Sequence, residues 1–329
     1  MRRLMLAIAV IGVAAVGILQ PARAQDARKV TFLTNYVFNG RHAPFFVGLD
    51  KGYYKKAGID IQISPASGSG FVISALDGGK ADYGMADAGS VVQAIAKGAK
   101  VKGFMVYVDV TTSGLASLKP YPQPASLKGA TIAASLTDSA RVILPIILEM
   151  RHIDPASVKW EAADPGVYAS LLLSGKADLT TASSDSDVPA LEKIAAKQGK
   201  KIYFASFAKW GYDVYSYFLV AEADTLKQRP DEAKKLAQAT AESVAYSVKH
   251  PEEAVHIMVK YNPTLNYDTT LTQWREAIKS IETPYVKKHG YGAATSDRLQ
   301  RTIDFVKQAM QLKTNLTPGD IYAMGFTGH

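Results

Sequence analysis

Residues 30–65 read VTFLTNYVFNGRHAPFFVGLDKGYYKKAGIDIQISP, and this stretch decides the fold. β-branched and aromatic residues crowd Val30–Tyr36, which predicts a strand. A polar loop follows, and His42–Lys56 carries apolar residues at helical spacing. Gly58 stands where that helix should stop, and the alternation of Ile59–Pro65 predicts a second strand. Strand, helix and strand in this order form a crossover unit, which joins parallel neighbours in one sheet.

The alternation continues outward from this unit. Gly70–Gly78 reads as a helix, Ala81–Asp87 as a third strand, Ser90–Lys97 as a short helix and Val101–Val110 as a fourth strand. Pro120, Pro122 and Pro124 mark a break, and the pattern then restarts. Ala130–Ser135 is an expected strand and Asp138–Arg151 an expected helix. Val158–Ala163, Val167–Leu173, Ala177–Ser183, Val188–Lys197 and Ile202–Phe207 repeat the alternation. Gly175-Lys176-Ala177-Asp178 echoes Gly79-Lys80-Ala81-Asp82, each after a helix and before a strand, so the halves read as related units. Tyr212–Ala221 is β-like. Pro230–Lys249, Pro251–Lys260, Asp268–Ile281 and Thr295–Leu312 then read as helices, with little regular signal over Pro318–His329. A helical end without strands of its own must pack on an existing sheet. The expectation is therefore an α/β chain of two lobes, each a sheet flanked by helices. Residues 25–115 and 211–329 would form one lobe and 116–210 the other, with hinge crossings near 111–126 and 208–220.

Before this pattern lies an export-type segment. Arg2 and Arg3 precede an uncharged apolar run, Leu4 to Leu19, and Ala22-Arg23-Ala24 has the A-x-A form of a cleavage site. The run is shorter than the roughly 20 residues that span a bilayer. Residues 1–24 are expected to be a signal peptide cleaved after Ala24, which places the mature chain in the periplasm. The formal charge of the whole chain is +8. Its basic residues are scattered or in short pairs such as Lys55-Lys56, a solvated-face pattern that gives nucleic-acid binding little support. The chain has no cysteine, which excludes thiol nucleophiles, cysteine metal sites and a lipid anchor on cysteine.

The run from Arg41, RHAPFFVGLDKGYYKKAGIDI, resembles the exported binding proteins grouped as NMT1/THI5-like. The Gly68-Ser69-Gly70 loop and the runs GGKADYGMAD and GAKVKGF follow in that family's order. The resemblance implies a two-lobed periplasmic binding protein (type II-like) that closes on a small molecule and delivers it to the permease subunits of an ABC importer, as a monomer and without a cofactor. It also leaves the ligand open among thiamine-pyrimidine precursors, flavins, and the alkylsulfonate, taurine or nitrate class.

Ligands in open α/β sheets sit beyond the carboxyl ends of strands. That rule selects Asn35, Tyr36, Asn39 and His42 after the first strand, where aromatic faces mix with amide and imidazole groups suited to a flat polar ring. After the second strand it selects Ser67 and Ser69 beside glycines that permit close backbone approach. It further selects Asp87, Asp138 with Ser139, and Ser184 with Asp185, although Asp138 also suits an N-cap; Tyr212, among the aromatics crowded near the second crossover, is a further cleft candidate. Carboxylates in this number favour a neutral or cationic heterocycle over an anion. Arg41 and Arg141 are the basic candidates for an anion reading.

The eukaryotic branch of the family is an enzyme that makes the thiamine pyrimidine from its own histidine and pyridoxal phosphate, and His42 stands where that histidine would lie. That branch has a cysteine-rich motif and no export signal, so no catalytic residue is expected here. The remaining histidines lack metal-ligand spacing, and no metal site is expected.

Overall fold

The computed structural model describes residues 27–309 and 314–327. The expected signal segment, its cleavage site and the end of the helix expected over Thr295–Leu312 lie outside the described residues. Among the described residues, ten strands form two sheets. The first holds β1 (Arg28–Leu33), β2 (Ile59–Ser64), β3 (Tyr83–Asp87), β4 (Val101–Val108) and β10 (Tyr217–Glu222) in the order β2-β1-β3-β10-β4. The second holds β5 (Ser113–Ser117), β6 (Thr131–Ala134), β7 (Lys159–Ala162), β8 (Leu179–Ser183) and β9 (Tyr203–Ser206) in the order β7-β6-β8-β5-β9. Helices flank both, which makes the two-lobed α/β architecture of a type II binding protein.

The sheets are mixed rather than parallel throughout. β1, β2 and β3 run parallel, as do β6, β7 and β8, but β10 lies antiparallel between β3 and β4, and β5 antiparallel between β8 and β9. The connections dictate this. β4 ends at Val108 in the first sheet and β5 starts at Ser113 in the second. So short a link delivers the chain to the near edge of the second sheet, at the carboxyl ends of its parallel strands, and β5 must run the other way. Its first residue, Ser113, pairs with Ser183 at the end of β8. β10 returns the arrangement, with Tyr217 opposite both Asp87 and Val108. β5 escaped the sequence pattern because Ser-Gly-Leu-Ala-Ser has almost no β-branched or aromatic residues.

Alternation along β10 shows a sheet buried on both faces. Tyr217, Leu219 and Ala221 join the core under helices Ala43–Asp50, Pro230–Lys249, Pro251–Tyr261 and Tyr267–Ile281, where Trp274 is fully buried and its indole N–H donates to the Ser247 carbonyl at 3.0 Å. Phe218 and Val220 face the opposite core, under helices Ser69–Asp77, Ala88–Ala96 and Ser296–Ala309. No helix among the described residues is long and apolar enough to cross a membrane.

The Gly-Lys-Ala-Asp echo has the same structural job in each half. Gly79 (φ 66°) and Gly175 (φ 74°) end their helices in the left-handed region. Asp82 then takes the Thr31 amide on its carboxylate at 2.9 Å, and Asp178 takes the Thr131 amide at 2.9 Å. Each aspartate ties its strand to the strand beside it.

The inserted strand β5 tolerates no side chain at Gly114, where a Cβ would lie 2.3 Å from the Ala205 carbonyl oxygen of β9. A main-chain neighbour cannot swing away, so Gly114→Ala should cost about 1–3 kcal/mol. The check is a lowered urea midpoint with an unchanged m-value; an unaltered midpoint would contradict the tight β5–β9 packing.

Candidate functional site

The loop after β1 is shaped by its own polar residues. The Thr34 hydroxyl donates to the Tyr36 carbonyl at 2.9 Å and turns the chain out of the sheet. Asn39 caps the 3₁₀ turn Gly40–His42, accepting from the Arg41 amide at 3.1 Å. Gly40 is required there, because a Cβ would fall 2.4 Å from the Thr270 carbonyl oxygen and the Trp274 nitrogen. The Tyr107 hydroxyl donates to the Arg41 carbonyl at 2.7 Å. The turn therefore aims Arg41 across to the second lobe, where Asp185 receives it through two hydrogen bonds, one from Nη2 and one from Nε at 2.8 Å. Only 1% of Arg41 is exposed, so its charge is satisfied by that pair, with the Tyr217 ring 4.8 Å away.

The glycine loop after β2 meets the second lobe just as closely. A Cβ on Gly68 would lie 2.2 Å from the Thr137 carbonyl oxygen. The Gly70 amide donates to that oxygen at 3.0 Å, and the Ser135 hydroxyl donates to the Ser67 carbonyl at 2.6 Å. One amide donor of this helix start is thus already spent on lobe–lobe contact. Gln273 adds another link: its oxygen accepts from the Gly40 amide at 3.0 Å and its nitrogen donates to the Ser186 carbonyl at 2.7 Å.

A cavity remains between these contacts, walled from the first lobe by Asn35, Tyr36, Arg41, Gly68, Ser69 and Tyr217. From the second lobe come Ser113 and Gly114 of β5, Asp138 to Ala140, Thr181 to Ser183, Ser186 and Asp187. Asp138 is held by the Ala140 amide at 2.9 Å and the Thr181 hydroxyl at 2.8 Å. Asp187 accepts from the Ser183 amide at 2.7 Å.

Of the residues expected from sequence, Asn35, Tyr36, Ser69, Asp138 and Ser139 line this cavity. The others do not. Asn39 is spent on its cap. His42 is fully buried behind Asn35. Ser67 shares a hydrogen bond with Thr137 at 3.1 Å. Asp87 turns into its own helix to cap Ser90 at 2.8 Å. Ser184 is exposed, with its amide on the Thr112 carbonyl. Asp185 is covered by Arg41. Tyr212 packs fully buried against Phe305, ring centres 4.9 Å apart. Arg41 and Asp187 were within reach of the sequence signals, since each follows a predicted strand by a few residues, whereas Tyr217 lies inside the β-like run Tyr212–Ala221. Ser113 and Gly114 were not, because β5 itself was invisible. Arg141 stays off this wall, bonded to the Ser135 and Ala134 carbonyls and stacked on Trp160.

Burial governs the charges. It pushes the Asp187 carboxyl up to about 6 despite the Ser183 amide and Arg41, and Asp87, beneath the floor, up to about 7. Burial also raises Asp138. Burial drives the Arg41 guanidinium down, but the Asp185 charge and hydrogen bond outweigh it and hold it above its ordinary value. The wall presents one neutralised ion pair and two carboxyl groups that resist ionisation.

Comparison with known proteins agrees with this architecture. The family model described as NMT1/THI5 like matches residues 39–254, and the chain belongs to that family. A Saccharomyces cerevisiae protein named 4-amino-5-hydroxymethyl-2-methylpyrimidine phosphate synthase THI13 is 24% identical over 290 residues, 80% of this chain and 82% of that protein. The Candida albicans synthase of the same name is 23% identical over 81% of this chain and 83% of its own. Among solved structures, a Bordetella bronchiseptica protein superposes with a TM-score of 0.73 at 16% identity, covering 91% of this chain and 95% of that one. The alkanesulfonate-binding protein SsuA from Xanthomonas axonopodis pv. citri, bound to MOPS, superposes at 0.68 and 11% identity over 90% and 98%. These likenesses establish the fold.

A carboxyl whose folded pKa is raised binds its proton more tightly folded than unfolded. Stability from that source is complete below the unfolded value and is lost as pH rises through the folded one. For Asp187 and Asp87 the window runs from about pH 4 to about pH 7. The melting temperature of the ligand-free protein should therefore fall between about pH 4 and about pH 7, and Asp187→Asn should flatten the slope. An equally steep slope in that variant would refute the assignment.

Proposed function

We propose that this member of the NMT1/THI5-like family is an exported solute-binding protein that captures a small aromatic nitrogen heterocycle between its lobes and delivers it to the permease of an ABC importer. The observation that carries the reading is the charge state of the cavity wall. Its one guanidinium is consumed by Asp185, while Asp138 and Asp187 face the same space. A sulfonate or nitrate would meet carboxyl groups and no free cation, whereas a ring bearing N–H donors meets acceptors. Tyr36 and Tyr217 supply aromatic surface for a flat ligand.

The mechanism follows from where the contacts lie. Arg41–Asp185, Gln273–Ser186 and Gly70–Thr137 all join one lobe to the other, so they form only when the lobes close. A ligand that touches both walls binds the closed arrangement better and shifts the population toward it. The importer then receives a shape that cargo favours.

The synthase reading suggested by the yeast relatives finds less support. The cavity wall has no lysine to hold pyridoxal phosphate as a Schiff base, and His42 does not reach the cavity. Periplasmic location rests on the export-type segment, which N-terminal sequencing of the mature protein, expected to begin at Gln25, would test.

Two measurements address the ligand. 4-Amino-5-hydroxymethyl-2-methylpyrimidine should raise the melting temperature, as a ligand bound only by the folded state does, and Tyr36→Ala should weaken its binding about tenfold. Stabilisation by taurine, alkylsulfonates or nitrate alone would sink the heterocycle reading, and catalytic turnover of the pyrimidine would revive the synthase one. Asp185→Ala leaves Arg41 uncompensated on closure, a burden of about 3–5 kcal/mol for a buried charge. Affinity should drop a hundredfold or more, with partial recovery when Arg41→Met is added.

A further inference from the structure

His42 is the one fully buried histidine beside the cavity, and both of its ring nitrogens are engaged. Nδ1 lies 3.3 Å from the Asn39 backbone nitrogen. A main-chain N–H can only donate, so Nδ1 carries a lone pair. The single ring proton is then on Nε2, which lies 3.2 Å from the Asn35 side-chain oxygen. Asn35 must accept there, and the orientation of its amide follows from the imidazole rather than from local packing. Asn35 is 6% exposed and lines the cavity, while its Nδ2 makes no hydrogen bond among the described residues. The imidazole cannot turn away, because Phe38 and Phe45 hold it, each with its ring centre 6.4 Å from the histidine's. Burial, and then the Arg41 charge, keep the imidazole well below its usual pKa, in keeping with a lone pair on Nδ1.

We infer that His42 is a positioning residue that never touches the ligand: it locks the Asn35 amide with its two N–H donors toward the cavity, so the site selects a ring that presents a hydrogen-bond acceptor at that point. An unsubstituted ring nitrogen meets the requirement, and a ring C–H in its place leaves a buried donor unpaired, which a polar site discriminates against strongly. The ligand half of this inference rests on the heterocycle reading; the histidine half does not.

The two halves are separable by experiment. In ligand-free protein, nitrogen-15 spectra of the His42 ring should report the Nε2–H tautomer, unchanged from about pH 5 to about pH 8. An Nδ1–H tautomer, or titration near the ordinary histidine value of about 6.5, would overturn the positioning role whether or not any ligand is known. With ligand, the wild type should prefer 4-amino-5-hydroxymethyl-2-methylpyrimidine over its analogue with both ring nitrogens replaced by C–H, by about tenfold or more. His42→Leu should erase the preference, and His42→Gln, whose amide can still donate to Asn35, should retain it. Equal weakening of both ligands with the preference intact would reduce His42 to a packing residue. If the wild type binds neither ring, the heterocycle reading fails, and the tautomer measurement still decides the role of His42.

Discussion

The closed form of this protein hangs on one buried ion pair. Arg41 leaves the first lobe from a three-residue turn, and Asp185 leaves the second just past β8. Neither charge is tolerable alone in a site that excludes water, since an unpaired buried ion costs several kcal/mol. Each lobe therefore carries a buried charge whose counterpart lies on the other lobe. Other contacts, such as Gly70 to Thr137 and Gln273 to Ser186, refine the fit, but they involve neutral partners and are individually worth about 0.5–1.5 kcal/mol. The pair sets the register in which the lobes come together, and that register defines the cavity.

The same pair shapes what the cavity can hold. By neutralising the only guanidinium on the wall, Asp185 removes the attraction an anion would need. Asp138 and Asp187 then dominate the remaining field, and burial raises the pKa of both. A ligand that brings donors to such carboxyls gains more than it would in water, because the low local dielectric strengthens each contact. The β1 loop adds the opposite chemistry through the donors of Asn35. The cavity wall thus draws opposite hydrogen-bonding chemistries from the two lobes.

Much of this was legible in the sequence. The strand–helix alternation predicts both sheets, the Gly-Lys-Ala-Asp echo predicts their kinship, and the rule of carboxyl strand ends leads to Asn35, Tyr36, Ser69, Asp138 and Ser139. These signals are local: hydrophobic period, glycine position and the residues immediately after a strand all act over a few residues. Ser113–Ser117 escaped because its β conformation is imposed by neighbours on both sides rather than by its own side chains.

Contacts distant in the chain settle which polar side chains line the cavity and which face each other. Asp185 and Asp187 differ by two positions, and Arg41 and His42 by one, yet in each pair one residue is spent on the fold and the other on a different task. A carboxylate beside a predicted strand end is equally fit to bind cargo, cap a helix or neutralise an arginine. The choice depends on what lies across the cleft, more than a hundred residues away in the chain, because charge pairing acts through space and is strongest where water has been removed. Local signals along the chain suffice for the two lobes; the contacts between the lobes set which groups line the cavity, because they act through space.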